Sequence, residues 1–130
     1  MIIKKDLLPA FNYCIKRFHI KNPPKLQLSK SFKIWGVDCN GAYNGFSNII
    51  KINRQLKKQK AIHVLFHEFI HCHQYNCGKM KLLNNLARFW KNKLFEYPKT
   101  ILEILNSPWE KEASYKSDVL YNDFRKKQDK

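Results

Sequence analysis

Apolar residues recur at helical spacing over residues 6–19, where Leu7, Leu8, Phe11, Cys14, Ile15 and Phe18 share one side, and this predicts an N-terminal helix. Pro9 falls early enough to be tolerated in a first turn. Pro23-Pro24 ends the pattern, and Leu26-Gln27-Leu28-Ser29 then alternates as a short strand does. A second strand is predicted over residues 31–37, with Phe32, Ile34 and Trp35 giving it bulk. The two Asn-Gly dipeptides of Asn40-Gly41-Ala42-Tyr43-Asn44-Gly45 favour the positive φ of tight turns, so a hairpin is expected to reverse there and return over residues 46–53.

Helical periodicity resumes over residues 55–75 and stops near Gly78, a favoured residue just past a helix end. A third helical region is predicted over residues 79–94, broken by Tyr97-Pro98, with a short helical piece through Ile101, Leu102, Ile104 and Leu105. Ser107-Pro108-Trp109-Glu110 opens a last helix that reaches about Phe124, before a polar tail. The order predicts an α+β fold: N-terminal helix, small three-stranded and mainly antiparallel sheet, long central helix, C-terminal helices. With no internal repeat or linker, residues 1–130 read as a single domain.

Composition narrows the class. Hydrophobic residues make up 44% of the chain and aromatics 14%, with four Gly and five Pro, which is globular rather than disordered. Twenty-five Lys and Arg against ten Asp and Glu give a formal charge of +15, which raises the prospect of an acidic protein or nucleic-acid partner on a basic surface. The lysines are spread along the whole chain, so a solvated basic surface accounts for them equally well. The N-terminal segment is interrupted by Asp6 and is not a secretory signal, and no apolar run approaches the roughly 18 residues of a membrane span, so the expected location is the cytoplasm. Cys14, Cys39, Cys72 and Cys77 lack the spacing of a disulfide scaffold or of a zinc-binding cysteine set.

The most informative chemistry lies in the central helix, at His67-Glu68-Phe69-Ile70-His71. Residues i and i+4 stand one turn apart on one helix face, so both imidazoles can address a single ion. Glu68 sits about 100° around the helix, in reach of a water on that ion, and zinc would lower the pKa of such a water to roughly 7. His63, His67 and His71 together span about 12 Å of a straight helix, which removes His63 as a third ligand, and His73 points about 200° away from His71. No histidine follows His73, so a carboxylate must complete the site; Glu96, Glu103, Glu110, Glu112, Asp118 and Asp123 are available. Glu110 stands at the S-x-x-E spacing that bonds back to a helix start and so has a capping role to fill. Glu112 lies on the more apolar face, where a carboxylate needs a partner, and is favoured over Glu110 and Glu96.

His67, Glu68 and His71 resemble the signature of the gluzincins, zinc metallopeptidases with a His-Glu-x-x-His helix and a glutamate ligand on a later helix. In many members that glutamate precedes an alanine, as Glu112 precedes Ala113 here. Small single-domain members of the ImmA/IrrE type look most similar. The resemblance implies a zincin-like fold, Zn²⁺ held by His67, His71 and Glu112, and hydrolysis of a protein or peptide substrate with Glu68 as general base. It also implies that Ile49-Ile50-Lys51-Ile52-Asn53 is the edge strand beside the cleft and offers Tyr75 or Tyr115 as the oxyanion-stabilising group. Two other readings stand beside it. One is a basic nucleic-acid-binding module whose Trp35, Tyr43, Phe89 and Trp90 lie among cations; the other is a catalytically inactive zincin-like binding domain.

Overall fold

A computed structural model describes residues 1–34, 37–84 and 87–128. Helix α1 (Lys4–Phe18) begins two residues before its sequence pattern, with the Asp6 carboxylate accepting from the Ile3 backbone N–H at 2.9 Å. Pro9 therefore stands inside the helix rather than in its first turn. His19, in the left-handed region at φ 52°, closes it.

Strands β1 (Lys25–Ser29), β4 (Gly41–Asn44) and β5 (Ile49–Asn53) form a sheet of order β1-β5-β4. β1 runs parallel to β5 and β4 antiparallel to it, so the sheet is mixed rather than mainly antiparallel. Ile49–Asn53 is its central strand, and β1 and β4 are the edges. The reversal lies four residues later than the first Asn-Gly suggests. Asn44 Oδ1 accepts from the backbone N–H groups of Phe46 and Ser47 at 2.9 and 3.1 Å, and Asn48 takes φ 56°, so the second Asn-Gly makes the turn while Asn40-Gly41 opens β4. A separate ribbon pairs β2 (Phe32–Ile34) with β3 (Val37–Cys39). Trp35 lies outside the described residues.

Helix α2 (Lys58–Asn76) crosses the sheet and carries much of the core. Its Leu65, Phe66, Phe69 and Ile70 are fully buried, as are Ile50 and Ile52 of β5 beneath them. Burying side chains of this size contributes about 1.5–3 kcal/mol each. Phe11 of α1 meets Phe69 edge-on at 5.1 Å, and Phe124 meets Phe66 at 5.5 Å. Gly78, at φ +83°, ends the run in the conformation a glycine adopts most readily.

The helix expected over residues 79–94 is instead a three-stranded antiparallel meander of β6 (Met80–Leu82), β7 (Ala87–Trp90) and β8 (Lys93–Glu96). Lys91 and Asn92 have φ values of 51° and 68°, the signature of a two-residue I′ turn, which reverses the chain between Trp90 and Lys93. Met80 and Trp90 of the meander bury against Trp109 in a second, smaller core that Phe95 joins. Short helix α3 (Ile101–Asn106) leads directly into α4 (Pro108–Gln128), which lies along α2. Among the described residues no helix is long and apolar enough to cross a membrane.

Candidate metal centre

His67 and His71 project from one face of α2 with ring centroids 5.0 Å apart and planes at 76°. The first turn of α4 brings Glu110 to both: Oε2 lies 3.1 Å from His67 Nε2 and Oε1 lies 2.8 Å from His71 Nε2. The ligand atoms of these three residues lie within 4.8 Å of one another, close enough to hold one metal ion. Two imidazole nitrogens and a carboxylate oxygen suit several divalent first-row ions.

Among the described residues the carboxylate that joins the two histidines is that of Glu110, not that of Glu112. Ser107 follows α3 without a break, and its hydroxyl donates backwards to the Ile104 carbonyl at 2.7 Å. The reciprocal cap expected of Ser107 and Glu110 is thereby displaced, and the Glu110 carboxylate turns to the histidines. Glu112 faces Lys79 Nζ at 3.1 Å, with Lys116 Nζ at 3.7 Å, and these cations, not a metal, are its partners on the less polar face. Burial works against its ionisation, but the hydrogen bonds from Lys79 and Gln74 and the charges of Lys116 and Lys79 together hold the carboxyl below its ordinary value.

Glu112 still touches the site indirectly. Gln74, fully buried, accepts from or donates to three groups: its Oε1 lies 2.9 Å from His71 Nδ1, and its Nε2 donates to the Trp109 carbonyl at 3.0 Å and to Glu112 Oε1 at 3.3 Å. With the amide oxygen accepting, His71 keeps a proton on Nδ1, and Nε2 is the nitrogen that faces Glu110 and could hold an ion once deprotonated. The same amide ties the start of α4 to α2, and Trp109 fixes that junction by packing on Trp90 at 6.2 Å and Phe95 at 5.5 Å. Glu110 is thus positioned by the meander as well as by its own helix.

Glu68 is buried beside the pair. Burial pushes its carboxyl up from the ordinary value, partly offset by His71, His67 and the backbone N–H of Tyr43. For His71 burial opposes the charge, yet the hydrogen bond and charge of Glu110, with smaller contributions from Glu68 and Gln74, raise it to about 9. Glu110 is half-buried, which opposes its charge, but the two histidines hold its carboxyl well below the usual range. Strand β4 approaches this cluster because residue 41 is glycine. A Cβ there would strike Val64 Cγ1 and come within 3.3 Å of Glu68 Cγ and Oε2.

The remaining histidines go elsewhere. His63 pairs with Asp118 at 2.8 Å, and His73 stacks on Phe18 at 4.5 Å. Glu103 accepts from the Lys99 backbone N–H at 2.6 Å, and none of Glu96, Glu103, Asp118 or Asp123 joins the donor group. Of the two tyrosines offered for an oxyanion, Tyr75 lines the cleft over the donors and Tyr115 is 72% exposed on α4. That cleft has a volume of about 280 Å³ and is bounded by β4, α2, α3, the meander and the start of α4. It also receives Arg88 of β7, which no sequence signal marks. Comparison of the chain with family models, curated proteins and solved structures finds no match.

Proposed function

We propose that the chain is a zinc-dependent metallopeptidase with a zincin-like arrangement, in which His67, His71 and Glu110 hold the ion and Glu68 is the general base. The observation that carries this reading is the convergence of three ligand atoms within 4.8 Å, with a buried carboxylate one residue from the first histidine. The donor set fits zinc in a catalytic site, which has three protein ligands and an open fourth position. Bound zinc supplies Lewis acidity, polarising a carbonyl and acidifying water.

The chain's own residues account for the rest. Glu68, with its carboxyl pushed up by burial, takes a proton from the attacking water and delivers it to the amine as the C–N bond breaks. Gln74 keeps the proton of His71 on Nδ1. Edge strand β4 runs beside Glu68 and has no strand on its outer side among the described residues, so an extended peptide can lie along it. Tyr75 stands in the same cleft, where its hydroxyl can donate to a developing oxyanion.

The test is hydrolysis of an unstructured protein such as casein by the purified chain. Cleavage is expected to stop on addition of a chelator and to return with zinc. Cleavage that persists undiminished after exhaustive metal removal contradicts the reading.

A further inference from the structure

A second cavity, of about 570 Å³, continues from the cleft along β4 and shares Ile34, Ala42, Tyr43, Tyr75 and Arg88 with it. Lys33, Lys51 and Arg88 line this groove, and no carboxylate does among the described residues. Arg88 is held in an unusual way. Its guanidinium lies 4.1 Å from the centroid of Tyr97 and 5.1 Å from that of Trp109, and its Nε is buried with no hydrogen-bond partner among the described residues. Two aromatic faces therefore orient the plane of a guanidinium whose Nε is sealed from water without a protein acceptor among the described residues. Trp109 also neighbours Glu110 in sequence, so the same ring that seats Arg88 orients the start of the helix bearing the third ligand.

A planar guanidinium with fixed orientation matches a carboxylate in two parallel hydrogen bonds. A peptide extended along β4 from the metal centre would carry its alternate side chains into the groove, past Arg88 first and then towards Lys51 and Lys33. We infer that this groove selects extended peptide segments bearing acidic side chains, with Arg88 as the specificity-determining residue and Lys33 and Lys51 as supporting charges. The inference rests on the metallopeptidase reading for what happens to the segment, while its selection depends on the groove alone.

The experiment measures binding of a fluorescein-labelled ten-residue peptide containing four glutamates, and of its glutamine counterpart, to zinc-treated Glu68→Gln protein at physiological salt. At that ionic strength diffuse attraction to the overall +15 charge is screened. The glutamate peptide is expected to bind roughly tenfold to a hundredfold more tightly, as a charge-assisted pair implies. Arg88→Gln should abolish most of the difference, and Lys33→Gln combined with Lys51→Gln should reduce it. Should Arg88→Gln fail to fold, the double lysine variant, whose side chains sit outside the aromatic seat, carries the test. Equal binding of the two peptides, or a preference that survives these changes, overturns the inference. So does an oligonucleotide of ten thymidines that binds more tightly than the glutamate peptide and displaces it. A glutamate preference in protein that takes up no zinc supports the groove and removes the hydrolytic reading; zinc-dependent casein cleavage without a glutamate preference does the reverse.

Discussion

On the α2 and α4 side of the cleft, two imidazoles and two carboxylates form a partly buried polar cluster whose members are each other's partners. On the β6–β8 side, Arg88 is seated on aromatic rings and its Nε has no acceptor among the described residues. The first wall is closed upon itself and tuned by mutual charge; the second holds a ring-stacked cation that lines the cleft and the groove beyond it. The contrast separates groups suited to hold an ion and move a proton from groups suited to choose what approaches them. Trp109 belongs to both, packing under Arg88 and passing its carbonyl to Gln74, which in turn holds His71.

The largest expected effect breaks the first wall without moving it. Glu68→Gln should lower kcat/KM for peptide hydrolysis by about 10²–10⁴, the usual contribution of a positioned acid–base group, while zinc uptake stays unchanged. Kinetics and metal analysis on one sample check this, and full activity in the variant removes Glu68 as the base. Next is the distinction between the two glutamates of α4. Glu110→Gln removes a proposed ligand and should weaken zinc binding by more than about 100-fold, whereas Glu112→Gln disturbs the Gln74 relay and the pairs with Lys79 and Lys116 but none of the three donor groups, and should weaken it by about tenfold or less. Competition with a chromogenic chelator measures both, and the opposite order would return the third position to Glu112.

A smaller effect tests how β4 meets α2. Gly41→Ala places a methyl against Val64 and Glu68 and should destabilise the fold by about 1–3 kcal/mol in denaturant unfolding. An unchanged midpoint would mean that β4 does not sit so close. The smallest effect is in pH. In metal-free protein His71 has a folded pKa near 9, above its unfolded value of 6.5, so its stabilisation is complete below about 6.5 and is lost as pH rises through 9. Zinc requires the neutral imidazole, so the rise in Tm that zinc produces should grow across the same interval. A zinc-induced shift that shrinks between pH 6.5 and 9 would contradict the assigned pair.

The parts of this arrangement that local spacing encodes were readable in the sequence: two histidines four apart on a helix, with a glutamate beside the first. Glu110 was not, because Ser107-Pro108-Trp109-Glu110 reads as a reciprocal cap until one sees that α3 abuts Ser107 and claims its hydroxyl. Residues 79–94 fit a helical period as well as a strand period. What decides for the meander is the Lys91-Asn92 turn, which contains no glycine to announce it, and the burial of Met80 and Trp90 against a tryptophan far along the chain. Arg88 owes its role to Tyr97 and Trp109, a juxtaposition that exists only once the meander packs on α4.

His67, His71 and Glu110 stand close enough to share one metal ion, which we propose to be zinc. Anomalous diffraction at the zinc edge from crystals of the metal-loaded protein tests it most directly. A single peak with His67 Nε2, His71 Nε2 and a Glu110 oxygen at about 2.0–2.2 Å is the predicted result. No peak between α2 and α4, or a zinc ligated by Glu112 with Glu110 turned away, would contradict it.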